Sequence, residues 1–535
     1  DSRKVGRVEG RQRKEPVSSK RASFQRNASI MAFAKKGDWK GLLVYGEKNW
    51  KDFNEVNWST MFAKLGKSGR DIGAIRCDDS FKLLVSKFEG TVEREGLNFL
   101  DTWGIASTIH AFAVMGVTSK VLFDNVEKDA AKITAAGDHH STSNIAYALA
   151  KLGEKRNGFF KAVDTKSVAG KLVREGNPQD ISNLIWAFAN LGYKSDILAR
   201  LINDESTAEK LIREGTSQAI SNTCWAMAVM GHDASVLAEF IDREDLVEGL
   251  VAGGTPQCIS NLICAMSKFR FDCPNLVKAA SLNISRNLKY WDIQSICSLA
   301  YALADLGYFE ETLFNEIGKQ AGRFSMEADE QSISSMLRAF AIAGLMSKNE
   351  GAVRLLWTIA MKRPAGSFTV TGWDMLALAR LYAKSEGVEL DVENGSEQSY
   401  FLNMVAQGYC EPGAPGFENT VANSLLRHGY NGFEREVSPF EGGEGGSLLQ
   451  IDFAWRERKI ALEVDGPLHF LTALRGDPKN PKLNGPSKAK TRLLENLGWR
   501  LYRLSYQEAY SLDSKGEDAW RQFWRDRLGV QRSEI

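Results

Sequence analysis

Between about residues 50 and 385 the chain repeats one pattern of apolar and polar positions. The run Ile181-Ser182-Asn183-Leu184-Ile185-Trp186-Ala187-Phe188-Ala189-Asn190-Leu191-Gly192 returns as Ile220 to Gly231 and again as Ile259 to Arg270. Looser copies end at Gly116, Gly153, Gly307 and Gly344, so successive closing positions from 116 to 344 lie 37, 39, 39, 39, 37 and 37 residues apart. Gly66 closes a further copy 50 residues before Gly116. Within each copy apolar residues recur at helical spacing, and Ala187, Ala226 and Ala265 share a register where small side chains let two helices approach. Pro178 and Pro256 sit at helix-start positions, where a missing N–H costs nothing, and the closing Gly is a left-handed stop. A second amphipathic helix follows, such as the one from Ser195 onward. The pattern therefore predicts a helical hairpin per repeat. A hairpin cannot bury its own apolar face, so the hairpins must stack into an α-solenoid. Trp373 to Ala383 reads as a worn terminal unit, and Asn27–Gly37 resembles Asn57–Gly66 at a spacing of 29–30 residues.

The repeats also restrict where ligand-discriminating residues can lie. Asn144, Asn183, Asn222 and Asn261 occupy one register, and Tyr147, Trp186, Trp225 and Tyr301 another. A residue that is the same in every repeat cannot discriminate, so the Asn register is expected to tie neighbouring hairpins and the aromatic register to fill the core. Asp180, Ala219 and Cys258 differ at one position near the helix start, which makes Asp180 the candidate specificity position of its repeat.

The composition shifts after Lys384. Clusters at 411–416 and 441–446 are rich in Gly and Pro, with Asn419 to Leu426 reading as a helix between them. Strands are predicted at Phe433–Val437, Leu448–Trp455, Lys459–Val464 and Trp499–Leu504, and helices at Ser487–Leu497 and Glu517–Leu528. The expected organisation is a tail at 1–26, an array at 27–384, a linker at 385–432 and an α/β domain at 433–535. The fold class is mainly α, a solenoid followed by a small α/β domain.

Charge changes this picture locally. The net charge of the 535-residue chain is +1, so any nucleic-acid contact must use a local groove. The first 26 residues hold nine Lys/Arg against three acids; they read either as the remnant of an organelle transit peptide or as a solvated or RNA-touching arm. The seven cysteines, Cys77, Cys224, Cys258, Cys264, Cys273, Cys297 and Cys410, form no C-x-x-C pair and read as reduced thiols. No apolar run is long enough to span a membrane.

Two resemblances follow from these motifs. The run Pro178 to Gly192 and its copies resemble the octotricopeptide repeats of algae and related arrays of apicomplexans, over about residues 50–385. Arg270 at a closing position and Ser298 in the Asn register depart from the pattern. That resemblance implies selective binding of single-stranded RNA, about one base per repeat. The second carries Gln450-Ile451-Asp452-Phe453-Ala454-Trp455, Ala461-Leu462-Glu463-Val464-Asp465-Gly466-Pro467-Leu468-His469-Phe470 and Lys488 to Trp499, and resembles the RAP domain over about residues 433–510. RAP domains follow helical repeats in organellar RNA factors, which implies a mitochondrial or chloroplast location.

The RAP core is similar in turn to the restriction-endonuclease-like fold. There, Asp452, Glu463 and Asp465 would be metal ligands for Mg²⁺ or Mn²⁺ and, with His469, catalytic residues. The usual lysine of the acid-x-Lys pair is Asp465 here; His469, Lys459 and Lys490 are the candidates to replace it. The alternative is a nuclease-derived fold kept for RNA binding, in which Asp452, Glu463 and His469 order the Gly466-Pro467 loop. Lys488, Lys490, Arg492, Arg500 and Arg503 are candidate phosphate contacts, or else a solvated helix face and strand edge. Three functions remain open: an RNA factor for stability, processing or translation; a structural subunit of an organellar ribosome or other large assembly, holding rRNA or neighbouring proteins; and a metal-dependent RNA endonuclease.

Overall fold

The structure is a computed structural model and describes residues 17–406, 417–440, 446, 448–472 and 482–528. It has two compact units, Asp1–Gly215 with Val229–His232, and Thr216–Ala228 with Asp233–Ile535. The fold class is as the pattern predicts, a helical solenoid followed by a small α/β domain. In the first unit the long helices Val17–Lys35, Glu55–Leu65, Thr102–Met115, His139–Lys151 and Pro178–Leu191 each pack on the next. In the second unit Pro256–Phe269, Ile293–Leu306, Glu330–Ala343 and Val370–Ser385 do the same. The first helix starts at Val17, inside the stretch read as a tail; Ser23 is buried, and the Asn57 amide donates to its carbonyl at 3.1 Å.

Local chemistry sets the helix ends. The side chains of Asp101, Asp138, Asn177, Thr255, Asp292, Asp329 and Thr369 each accept the amide three residues on, supplying a partner the first turn lacks. Pro178 and Pro256 stand at the first helical position. Gly116, Gly153, Gly192, Gly231, Gly307 and Gly344 close with φ between 65° and 79°, and Arg270 adopts the same left-handed backbone at φ 54° without being glycine. Gly66 differs: its φ is −63°, and a Cβ there would stand 3.2 Å from the Ala111 Cα. Glycine is required at 66 by the close approach of the next long helix. The Ala187, Ala226 and Ala265 register is fully buried.

The second half of a repeat departs from the hairpin expectation. In four consecutive repeats it is broken into two short helices, for example Asn157–Val163 with Lys166–Glu175, and Asp196–Ile202 with Glu205–Glu214. In these two examples a new cap stands inside the run: Thr165 accepts from the Val168 amide and Asp204 from the Ser206 amide. The second halves Pro274–Asn287 and Glu350–Lys362 are continuous, whereas the one between them is broken after Gly318.

The α/β domain carries one four-stranded sheet, β1 (Glu434–Val437), β2 (Ile451–Trp455), β3 (Ile460–Asp465) and β4 (Arg500–Ser505), in that order. β1, β2 and β3 are antiparallel, while β3 and β4 are parallel, joined through the Gly485–Asn496 helix. The helices Phe417–Arg427 and Glu517–Leu528 contribute to one core with the sheet, where Val421, Leu425, Phe453, Leu462, Leu504 and Trp524 are buried. A helix absent from the sequence reading, Tyr506–Lys515, starts on a Ser505/Glu508 capping box. Cys224, Cys258, Cys273 and Cys297 are buried free thiols; Cys410 and the 411–416 cluster lie outside the described residues, as do most of 441–446. No helix among the described residues is long and apolar enough to cross a membrane.

The repeat registers sort differently from expectation. Asn144, Asn183, Asn222 and Asn261 are half-buried; Asn144 contacts His140 Nε2 at 3.0 Å, and Asn183 accepts from Gln179 at 2.8 Å, each within its own helix. A tie between two repeats comes from other residues. Asn190 donates to the Ala150 carbonyl at 3.0 Å, and the Tyr147 and Trp186 rings meet at 5.1 Å. Asp180 is only 3% exposed and completes its own capping box with Asn177. It also meets His139 Nδ1 at 2.8 Å, His140 Nδ1 at 3.0 Å and Ser143 Oγ at 3.2 Å, all from the previous repeat. Ala219 and Cys258 are equally buried. Asp180 therefore faces the preceding helix and does not present its side chain to a base. Asp180→Ala should leave these donors without their acceptor and cost about 1.5–3 kcal/mol. The check is the urea midpoint of helical circular dichroism; an unshifted midpoint would count against the clamp.

Candidate functional site

β2 and β3 bring the carboxylates together. Phe453 pairs with Leu462, which places Asp452 opposite Glu463, and alternation puts Asp465 on the same face of β3. Each acid then has its own partner. Asp452 Oδ2 accepts the Val464 amide at 2.7 Å. Glu463 is 1% exposed and ion-paired with Lys490, while its Oε1 is buried with no hydrogen-bond partner. Asp465 is 2% exposed and held bidentately by Arg503, whose Nε lies 2.7 Å from Oδ2. Arg503 also donates to the Thr491 hydroxyl at 2.8 Å. His469 Nδ1 lies 3.0 Å from Ser487 Oγ and 3.3 Å from Asp465 Oδ1.

Burial governs the titration of this cluster. It pushes the Glu463 carboxyl up to about 7, and the repulsion of Asp452 adds to it, against the pull of Lys490. Burial is also the first cause that lowers the His469 pKa, ahead of the opposing pull of Asp465. The Lys490 ammonium reaches Glu463 from a helix rather than from the strand. Of the three lysine replacements weighed from the sequence, Lys490 is paired with the candidate metal ligand Glu463 and His469 lies beside Asp465. Lys459 Nζ instead donates to the Leu497 carbonyl.

These residues do not fit a divalent cation as they stand. Asp465 is bound on both oxygens by a guanidinium, Asp452 is hydrogen-bonded to the backbone, and Glu463 is paired with Lys490. Among the described residues no group of three or more His, Cys, Asp or Glu is placed to hold a metal ion. What the arrangement provides is a balanced buried charge network that fixes β3, β4 and the Gly485–Asn496 helix to one another.

The same helix performs a second task. Its Lys488 donates to the Gly307 carbonyl at 3.2 Å, and its Arg492 to the Ala341 and Ile342 carbonyls at 3.0 and 2.9 Å. These are the closing turns of Ile293–Leu306 and Glu330–Ala343. Cations there meet carbonyls that a helix end leaves unpaired, at its negative pole. Both cations also lie over the Phe309 ring, at 5.9 and 5.7 Å. The closing glycines leave the space: a Cβ on Gly307 would stand 2.7 Å from Lys488 Nζ, and one on Gly344 2.3 Å from the Arg492 guanidinium. Gly485 is tighter still, since a Cβ there would fall 1.6 Å from the Ala304 carbonyl oxygen. The preceding repeat is held by a two-way bridge: the Thr472 amide donates to the Arg270 carbonyl at 2.6 Å, and the Asp272 amide to the Thr472 carbonyl at 3.0 Å. Lys482 pairs with Asp272 at 2.7 Å.

Lys488, Arg492, Lys490 and Arg503, read from the sequence as candidate phosphate contacts, are thus all engaged within the protein. Arg500 is the member of that set left exposed, and its side chain forms no ion pair among the described residues. The helical spacing held the signal. Residues 488 and 492 share a face and 490 points the other way, so one face meets the array and the other the sheet. Gly485 and Thr472 were not singled out, because only the docked arrangement gives them a role.

The fold and this site define a helical-repeat protein whose C-terminal α/β domain is fixed to the closing turns of its last repeats. Residues 462–526 match the family model of the RAP domain, which points to RNA binding. No curated protein matches the chain.

Arg492→Ala, or Gly485→Val, should loosen the docking. Amide hydrogen exchange should rise in both 485–496 and 337–346, and hardly at all in 139–151; unchanged exchange in the first two would show that the contact carries no stability. The Glu463 carboxyl gives a pH test. Between its ordinary value of 4.5 and about 7 the folded chain binds a proton that the unfolded chain releases. Its contribution to stability is therefore present at low pH and is lost as pH rises through about 7. Glu463→Gln should flatten the denaturation midpoint of the α/β domain between pH 5 and 8 relative to the parent chain; an equal slope in both would place the titration elsewhere.

Proposed function

We propose that this chain is an RNA-binding protein of mitochondria or chloroplasts, which holds a single-stranded transcript along octotricopeptide-like repeats and acts in its stability, processing or translation. The observation that carries this reading is the RAP-domain match at residues 462–526, on a domain docked to a helical-repeat array. A stack of repeats supplies an extended surface for a single strand, and the Asn register lies half-buried. In this reading the RAP domain acts as a fixed end of the array. The balanced charge network around Glu463 and Asp465 favours that role over RNA cleavage.

A second reading is a structural subunit of an organellar ribosome or other large assembly, favoured by the net charge of +1. Crosslinking of the protein in its own organelle, followed by sequencing of the attached RNA, separates the two. A footprint on one or a few messenger transcripts is expected. Reads concentrated on ribosomal RNA would favour the subunit, and no RNA above background would sink both.

A further inference from the structure

Two clefts open on the long helices of the first unit, and they share Lys67. One, of about 480 Å³, is lined by Lys67, Trp103, Ser107, His110, His140 and Asn144, with small residues such as Ala63, Gly66 and Ala106 making up the rest of its wall. The other, of about 570 Å³, is lined by Lys35, Lys64 and Lys67, with Met31 and Trp39 beside them. No carboxylate lines the first cleft, and in the second Asp71 faces the three lysines. Lys35, Lys64 and Lys67 form no ion pair among the described residues, unlike the cations of the α/β domain. His110 reports the same local field: its pKa is lowered, first by the buried part of its ring and then by Lys151, Lys67 and His140. A nearly neutral chain thus places unpaired lysines at the ends of two adjacent long helices, Val17–Lys35 and Glu55–Leu65.

The first cleft has recognition chemistry as well as charge. Trp103 is 53% exposed, with no ring packed on it among the described residues, an unusual cost for an indole. Beside it, the amide of Asn144 is held in one orientation. His140 Nδ1 lies 3.0 Å from the buried Asp180 carboxylate and its Nε2 lies 3.0 Å from Asn144 Nδ2. With Nδ1 donating to the acid, Nε2 accepts from the amide. One Asn144 N–H is fixed by His140, which leaves its carbonyl oxygen and second N–H as a donor–acceptor pair. That pair is the complement of a base edge, and an open indole is the complement of a base face.

We infer that these clefts form a groove for single-stranded RNA, in which an unstacked base lies on Trp103 and is hydrogen-bonded by Asn144 while Lys35, Lys64 and Lys67 neutralise the adjoining phosphates. This rests on the RNA-binding reading and locates it. Asp180, through His140, is a positioning residue for Asn144.

The test uses the full chain, a fluorescein-labelled random-sequence single-stranded RNA and fluorescence anisotropy over a salt series. Trp103→Ala should weaken binding about tenfold, the scale of one lost base stack. Lys64→Ala with Lys67→Ala should reduce the salt slope by about 1.4, at about 0.7 per phosphate contact on a single strand. In the parent chain 4-thiouridine crosslinks should map to 102–115 and 139–151. Binding by the parent that both variants retain, with the same salt slope, would overturn the groove while leaving the RNA reading in place. No RNA binding by the parent would remove the reading and the groove with it. Polyglutamate displacing the RNA from the parent as well as unlabelled RNA does would also overturn it, in favour of an acidic protein partner.

Discussion

Every long helix in this protein ends on carbonyls that its own turns cannot satisfy, and the second unit is built around how those ends are met. The left-handed closing residue pairs some of them locally, as when the Gly344 and Leu345 amides reach back to Ala341 and Phe340. The Ala341 and Ile342 carbonyls also receive the Arg492 guanidinium. Such a cation at a helix end contributes about 0.3–1 kcal/mol, and toward about 2 when partly buried. Lys488 does the same one repeat earlier, and Thr472 one repeat before that. Three consecutive closing turns are therefore linked to one α/β domain. A glycine at the closing position thus does two things: it takes the positive φ and leaves room for a cation. Where Arg270 replaces it, a backbone hydrogen bond from the domain takes the cation's place.

This docking accounts for the buried charges on the other face of the same helix. The Gly485–Asn496 helix is held against the array by residues 488 and 492 and against the sheet by Lys490, with Arg503 of β4 bracing Asp465. Two buried acids meet two half-buried bases within a few ångströms. Removing one partner of such a network strands the other, at a cost of about 3–5 kcal/mol. Residues that a nuclease would use to hold a metal ion are here the brace between sheet and helix.

In the first unit a different network does the joining. Asp180 caps its own helix and takes the imidazoles of the preceding repeat, so a stacking contact also sets the orientation of His140 and Asn144. The packing of repeats and the chemistry of the exposed face are thereby coupled through one buried carboxylate. The unpaired lysines lie on this unit, whereas the α/β domain, which looked the more basic from its motifs, neutralises most of its cations internally.

The sequence by itself determined the long helices, their starts and closing turns and the positions of the strands in the α/β domain, because each is set by local spacing and by backbone rules that act within a few residues. Pro178, Asn177 and Gly192 specify a helix start and stop wherever they occur. It also placed Glu463 and Asp465 on one face, because strand alternation requires it, while the register of β2 on β3 brought Asp452 opposite Glu463. Only the tertiary structure decided what those side chains do. Lys488, Lys490, Arg492 and Arg503 read alike in a sequence as free cations, and what separates them is whether a carbonyl or a carboxylate from a distant segment lies within reach. Asp180 read as variable and accessible, yet its position in the first turn points it into the preceding helix. Trp103 and Lys67 carried no motif at all. Their meaning comes from two helices brought together at Gly66 and Ala111, a contact between residues 45 positions apart that no local pattern encodes.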